Sequence, residues 1–196
     1  MALFENLVSY LLVVNAIGAL AYLINLLLYR HTANGRIDVI VTMVSLLGGS
    51  AGMLLMILLF DRKAEKENMM SRVFIICIFI IQVIMLLIFK GHHAEHFTFA
   101  FWKFFAEHRI LLIYLGIMNL VTFIVFAIDK VNARANRSRI KIVTLLGLSF
   151  AGGSVGGLIS MYLFRHKTQK DYFTVGMPLI IVMQVVVLFY VMNAGW

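Results

Sequence analysis

The chain has few of the residues a water-soluble domain depends on. Charged residues fill only 13% of its 196 positions, about half the share usual in soluble domains. Proline occurs once, at Pro178, and cysteine once, at Cys77. A lone cysteine excludes an intramolecular disulfide and a thiolate metal cluster. Set in the apolar run 73–89, it reads as a small apolar filler. No nucleophile motif, zinc-protease helix, phosphate loop or dinucleotide fingerprint is present, so an enzyme is the less favoured class and no cofactor is expected. The segment before the first apolar run carries Glu5 and no basic residue, unlike a secretory signal, so that run is expected to persist as a helix.

What fills the space instead is apolar. Hydrophobic residues make up 62% of the chain and the mean hydropathy is +0.96. They gather in six runs, 7–29, 37–60, 73–89, 110–128, 140–164 and 173–192, each about long enough to reach across a bilayer core. Short charged clusters separate the runs. The net charge of +8 is the excess expected of loops held at a cytoplasmic face, and no nucleic-acid partner is expected. The longer spacer 90–109 places Phe97, Phe101, Phe104 and Phe105 at helical spacing beside Trp102, which predicts an interfacial aromatic and histidine-rich linker helix.

A repeat runs through the chain at a spacing of 104 residues. It pairs Asn15 with Asn119, Gly48-Gly49-Ser50 with Gly152-Gly153-Ser154, Gly52 with Gly156, Phe60 with Phe164, Lys63 with Lys167 and Lys66 with Lys170. With a shift of one or two residues, Arg36-Ile37 pairs with Arg139-Ile140 and Gln82 with Gln184. The expected organisation is a first repeat at 1–89, the linker helix at 90–109 and a second repeat at 110–196.

The second repeat carries Asn119, Thr122, Phe123, Asp129-Lys130, Ala133, Arg139-Ile140, Gly152-Gly153, Gly156 and the string FRHKTQKDYF, which ends at Phe173. Over about residues 112–192 this pattern resembles the small bacterial membrane proteins of domain-of-unknown-function family 1294. The resemblance implies a class of membrane protein and no mechanism. The first repeat departs from the pattern, with Asn25-Leu26 in place of Asp129-Lys130 and Asp61-Arg62 in place of Arg165-His166.

Counting basic residues separates two topologies. If the glycine-centred middle runs cross straight through, giving six transmembrane helices, Lys and Arg divide eight to nine between the faces. If each middle run dips in and turns back at its Gly-Gly pair, they divide fourteen to three. The positive-inside rule favours the second arrangement. The expected fold is therefore an all-α integral membrane protein, a tandem repeat of two three-segment units, each with two spanning helices and a central Gly-Gly re-entrant hairpin. The basic loops would be cytoplasmic and both termini non-cytoplasmic, in a bacterial-type inner membrane.

Two sets of site residues follow. Asp129, Lys130, Arg139, Arg165, His166, Lys167 and Lys170 form a basic cluster suited to phosphate, with Asp129 expected to pair with Arg139 or Arg165. Asn15, Gln82, Asn119 and Gln184, with Gly48, Gly49, Gly152, Gly153, Ser154 and Gly156, could line a polar path at the hairpins. His92, His93 and His96 form only a weak metal set. The leading functional expectation is a small channel or carrier for a small polar or anionic solute. The alternatives are a protein or scaffold that binds anionic phospholipids, and an enzyme acting on a lipid phosphate through Asp129 and His166. A homo-oligomer is left open.

Overall fold

The computed structural model describes residues 2–31, 37–62, 68–94 and 97–194, and the expectations for Arg36, Lys63, Lys66 and His96 lie outside them. Every regular element among the described residues is helical: α1 (Ala2–His31), α2 (Asp38–Val44), α3 (Ser50–Phe60), α4 (Met69–Phe89), α5 (Phe101–Glu107), α6 (Arg109–Arg134), α7 (Ile142–Leu148), α8 (Ser154–Leu163), α9 (Asp171–Thr174) and α10 (Gly176–Asn193). One wide π turn, Ser45–Gly49, joins α2 to α3, and another, Ser149–Gly153, joins α7 to α8.

Six helical segments are long and apolar enough to cross a bilayer: Asn6–His31, Asp38–Phe60, Met69–Phe89, Arg109–Arg134, Ile142–Leu163 and Asp171–Asn193. Leu12 and Leu20 on α1 are 68% and 60% exposed, a surface that lipid covers without cost and water does not. The protein is membrane-embedded.

The chain forms two compact units, Met1–Val83 and Ile84–Trp196. In the first, Tyr22 of α1, Val41 of α2, Met53 and Ile57 of α3 and Ile75 of α4 make the core. In the second, Thr122 and Phe126 of α6, Leu145 of α7, Met161 of α8, and Met177 and Ile180 of α10 are buried, with Phe173 of α9 edge-on to Phe126.

The middle segment of each unit bends at its first paired glycine. Gly48 (φ 115°, ψ 0°) and Gly152 (φ 112°, ψ 0°) occupy a backbone region that only glycine enters freely. The glycines that follow serve close approach. A Cβ on Gly52 would strike the Asn15 carbonyl oxygen, and one on Gly156 the Asn119 carbonyl oxygen, so α3 lies against α1 and α8 against α6 at backbone distance.

The linker is less helical than its aromatic spacing predicts. Helix α5 covers Phe101–Glu107 rather than the whole of 90–109. The physical reason is Asn193 at the end of α10: its Oδ1 accepts the Thr98 N–H at 2.6 Å and its Nδ2 donates to the Thr98 carbonyl at 3.1 Å. That clamp draws 97–100 out of the helix, and Phe97 and Phe99 pack on Phe189 instead.

Candidate functional site

Asp129 lies in the last turns of α6, where the loop 135–141 leads into α7 and the loop 164–170 leads out of α8. Its side chain is fully buried. Oδ1 accepts the N–H of Ile140 at 2.8 Å, while Oδ2 meets His166 Nε2 at 2.8 Å and Lys167 Nζ at 2.7 Å. One carboxylate thus joins residues that immediately precede and follow the middle segment. A straight helix from Ile142 to Leu163 would hold those ends about 33 Å apart.

The expected partners were Arg139 or Arg165; the structure corrects this to His166 and Lys167, and both arginines face outward. The loop backbone explains the exchange. Arg165 (φ 46°) and Lys167 (φ 62°) both adopt the left-handed conformation, uncommon outside glycine. Two such residues in a short run turn Arg165 out and bring Lys167 in, where its ammonium lies 5.0 Å from the centre of the Phe173 ring. The buried ion pair and this ring contact hold the strained turn.

The first unit performs the same joining with different chemistry. Asn25 stands where Asp129 would repeat, and its Oδ1 accepts the Ile37 N–H at 2.9 Å while its Nδ2 donates to Asp38 at 3.0 Å. The far end of the segment is held by buried Asp61, which accepts from Tyr22 Oη at 2.7 Å and pairs with Arg72 at 3.0 Å, with Asn68 Nδ2 adding bonds at 2.9 and 3.0 Å. Tyr22 and Asn25 are less than one turn apart on α1, so both ends of this segment lie beside the same stretch of helix. The Tyr22–Asp61–Arg72 set was missed from the sequence, where Asp61 read only as a departure from the family pattern.

The amides singled out for a polar path serve the bent backbone. Asn119 Oδ1 accepts the Gly156 N–H at 2.7 Å and its Nδ2 donates to the carbonyls of Leu115 and Gly152 at 2.8 and 2.9 Å. Asn15 accepts from Gly52 N–H at 2.7 Å in the first unit. Gln184 Nε2 donates to the carbonyls of Ser149 and Phe150 at 2.7 and 3.1 Å, and Gln82 does so for Ser45 and Leu46 at 2.7 and 3.3 Å. Ser50 and Ser154 donate to the remaining oxygens of these two glutamines. A π turn leaves carbonyls without their usual partners, and in an apolar medium each needs a donor. Tyr10 and Tyr114, a further pair at the repeat spacing, donate to the carbonyls of Leu47 and Ala151, both at 2.7 Å. Gly49 and Gly153 are buried in the turns themselves.

Of the basic residues, Arg134, Arg137, Arg139, Lys141, Arg165 and Lys170 are exposed in and beside the two loops that Asp129 joins. Lys130 is half-buried, with Nζ 3.5 Å from the Arg165 carbonyl. At the weak metal set, His93 stacks on Phe97 with ring centres 5.0 Å apart and His92 is exposed. Among the described residues no three His, Cys, Asp or Glu side chains converge.

These features define a small polytopic membrane protein whose bent apolar segments are tied at a buried carboxylate or amide. Residues 119–173, from the asparagine that caps Gly156 to the phenylalanine beneath Lys167, match the family model described as Protein of unknown function (DUF1294). The chain is 34% identical over 79 residues to a protein of Bacillus subtilis (strain 168) described as Uncharacterized protein YsdA, a match covering 40% of this chain and 89% of that protein. The chain belongs to the DUF1294 family through its second half. No solved structure matches it.

Proposed function

We propose that this is an anionic-phospholipid-binding protein of a bacterial-type inner membrane, with both middle segments entering and leaving on the cytoplasmic face. The joining of both segment ends at Asp129, and at the Tyr22–Asn25 stretch, supports the re-entrant reading. The fourteen-to-three division of basic residues supports the cytoplasmic assignment.

The observation that carries the function is the state of the charges around Asp129. Lys167 pairs with the carboxylate from within and His166 shares a hydrogen bond with it, while Arg134, Arg137, Arg139, Lys141, Arg165 and Lys170 face outward, with Asp171 as the only exposed acid in and beside those loops. Each such cation near an anionic leaflet contributes about 1 kcal/mol, and the guanidiniums can grip phosphate oxygens with paired donors. Purified protein should carry phosphatidylglycerol or cardiolipin in preference to phosphatidylethanolamine when its lipid is extracted and identified by mass spectrometry. Retention in proportion to the bulk membrane would refute the proposal.

A second reading, a channel or carrier for a small polar or anionic solute, is favoured by the bent segments, since a non-helical turn at membrane depth must be enclosed by protein or wet. The hydrogen bonds that occupy Asn119 and Gln184 weigh against a path lined by these amides. Flux of chloride, phosphate or small carboxylates into proteoliposomes would decide for it. The enzyme reading requires Asp129 and His166 to meet at a headgroup. They do meet, but on a carboxylate with no exposed surface and both oxygens engaged, which weighs against acid–base work on a substrate.

A further inference from the structure

A cleft of about 400 Å³ opens in the first unit, and its walls differ in kind. Arg30 and Arg62 supply two exposed guanidiniums, Leu26, Leu59 and Phe60 an apolar side, and Tyr29 an aromatic ring. Each guanidinium is anchored by one backbone bond, Arg30 Nη2 to the Phe60 carbonyl at 3.0 Å and Arg62 Nε to the Leu58 carbonyl at 3.3 Å. Anchored in this way, each retains most of its five donors for a ligand. Asp61 also borders the cleft, but Arg72, Tyr22 and Asn68 satisfy its carboxylate, so it does not set a bare negative charge against an incoming anion.

The comparison between the two units explains why the cleft can take an anion. Arg62 holds the place of His166 at the repeat spacing, and Asn25 holds the place of Asp129. In the second unit the carboxylate holds both His166 and Lys167 inward, the first through a hydrogen bond and the second as an ion pair. In the first unit Asn25 binds Ile37 and Asp38, Asp61 pairs with Arg72, and Arg62 remains exposed at the cleft. Arg62 thus stays outside these carboxylate contacts and keeps donors for a ligand. The outer wall fits the rest of a lipid: Leu59 and Phe60 are 51% and 53% exposed on a helix apolar enough to lie in the bilayer, so an acyl chain leaving the cleft meets apolar surface at once.

We infer that this cleft is a specific site for one anionic phospholipid, its phosphate held by Arg30 and Arg62 and the start of its acyl chain by Leu59 and Phe60. The inference rests on the lipid-binding reading above and gives it a location distinct from the basic loops around Asp129.

The test is native mass spectrometry of the full chain in mild detergent, titrated with phosphatidylglycerol, with phosphatidylcholine and with inorganic phosphate. One phosphatidylglycerol per chain should be retained. Arg30→Gln with Arg62→Gln should weaken it about a hundredfold, roughly tenfold for each charge-assisted hydrogen bond to the phosphate that is removed. Leu59→Trp, which narrows the apolar wall and leaves both arginines in place, should weaken it about tenfold and keeps the test decisive if the double variant misfolds. Arg137→Gln with Arg139→Gln should leave this bound lipid untouched. If the loss follows only the Arg137 and Arg139 changes, the cleft is overturned as the site while the broader lipid reading stands. If phosphatidylcholine is held as tightly as phosphatidylglycerol by every variant, both fall. If inorganic phosphate binds with the same affinity and displaces the lipid, the site belongs to a free anion and the lipid assignment is overturned.

Discussion

Asn25 and Asp129 do the same work in the two units: each uses its Oδ1 to accept the backbone N–H that opens the middle segment, Ile37 at 2.9 Å and Ile140 at 2.8 Å. The amide suffices for that bond. The charge on Asp129 therefore serves the other end of the segment, where Lys167 is only 14% exposed and needs a counter-ion.

Replacing Asp129 with asparagine should keep the Ile140 bond and strand the Lys167 ammonium. Breaking a buried pair from one side costs about 3 kcal/mol. We expect Asp129→Asn to lower the unfolding midpoint in detergent clearly, and Asp129→Asn with Lys167→Met to recover most of it because no unpaired charge remains. Equal loss in the single and double variants would show that the ion pair does not hold the loop.

The close approach of α8 to α6 yields a sharp contrast between two glycines. A Cβ on Gly156 meets the Asn119 carbonyl, whereas one on Gly147 meets nothing within 4 Å. Gly156→Ala should therefore separate the helices and strip Asn119 of its bond to the Gly156 N–H, costing about 2 kcal/mol or more. Gly147→Ala should be neutral or stabilise by up to about 1 kcal/mol through helix propensity. Thermal unfolding of the two proteins in the same detergent measures the difference.

Some of this was readable from residues alone, and the reasons differ from part to part. The apolar runs place the helices because bilayer thickness sets a length that composition reveals. The spacing of 104 residues brings forward Asn15 and Asn119, and with a shift of two residues Gln82 and Gln184, because the same backbone defect needs the same donors in both units. Tyr10 and Tyr114 share that spacing, but a tyrosine near a helix end is commonplace and conveys no carbonyl partner. The partners of Asp129 were hidden because Arg165 and Lys167 take left-handed backbone, which no periodicity announces. The extent of the linker helix was hidden because Asn193, 95 residues further on, decides the conformation of Thr98.

Gln184 tests the claim that amides serve the bent backbone. Gln184→Met keeps the volume and removes both donors from the Ser149 and Phe150 carbonyls, as well as the acceptor for Ser154. Each buried carbonyl left without a donor costs about 1 kcal/mol or more. The variant should melt earlier without changing the lipid bound in the first unit. Hydrogen exchange should rise locally around 149–153. Faster exchange spread evenly over the chain would point to general loosening instead.

The direction of the middle segments can be read chemically within the second unit alone. Ser138 precedes the segment and Gln169 follows it, and both are exposed. On a Cys77→Ala background, Ser138→Cys and Gln169→Cys should react with an impermeant maleimide from the same compartment, only after the cytoplasmic face is opened in inverted vesicles. His92→Cys should react in intact cells, since on this topology it lies on the non-cytoplasmic side. A straight Ile142–Leu163 helix would put Ser138 and Gln169 in opposite compartments, with one labelled in intact cells and the other not. That outcome would contradict the shared carboxylate contact of Ile140 and His166 and leave the even division of basic residues without a cause.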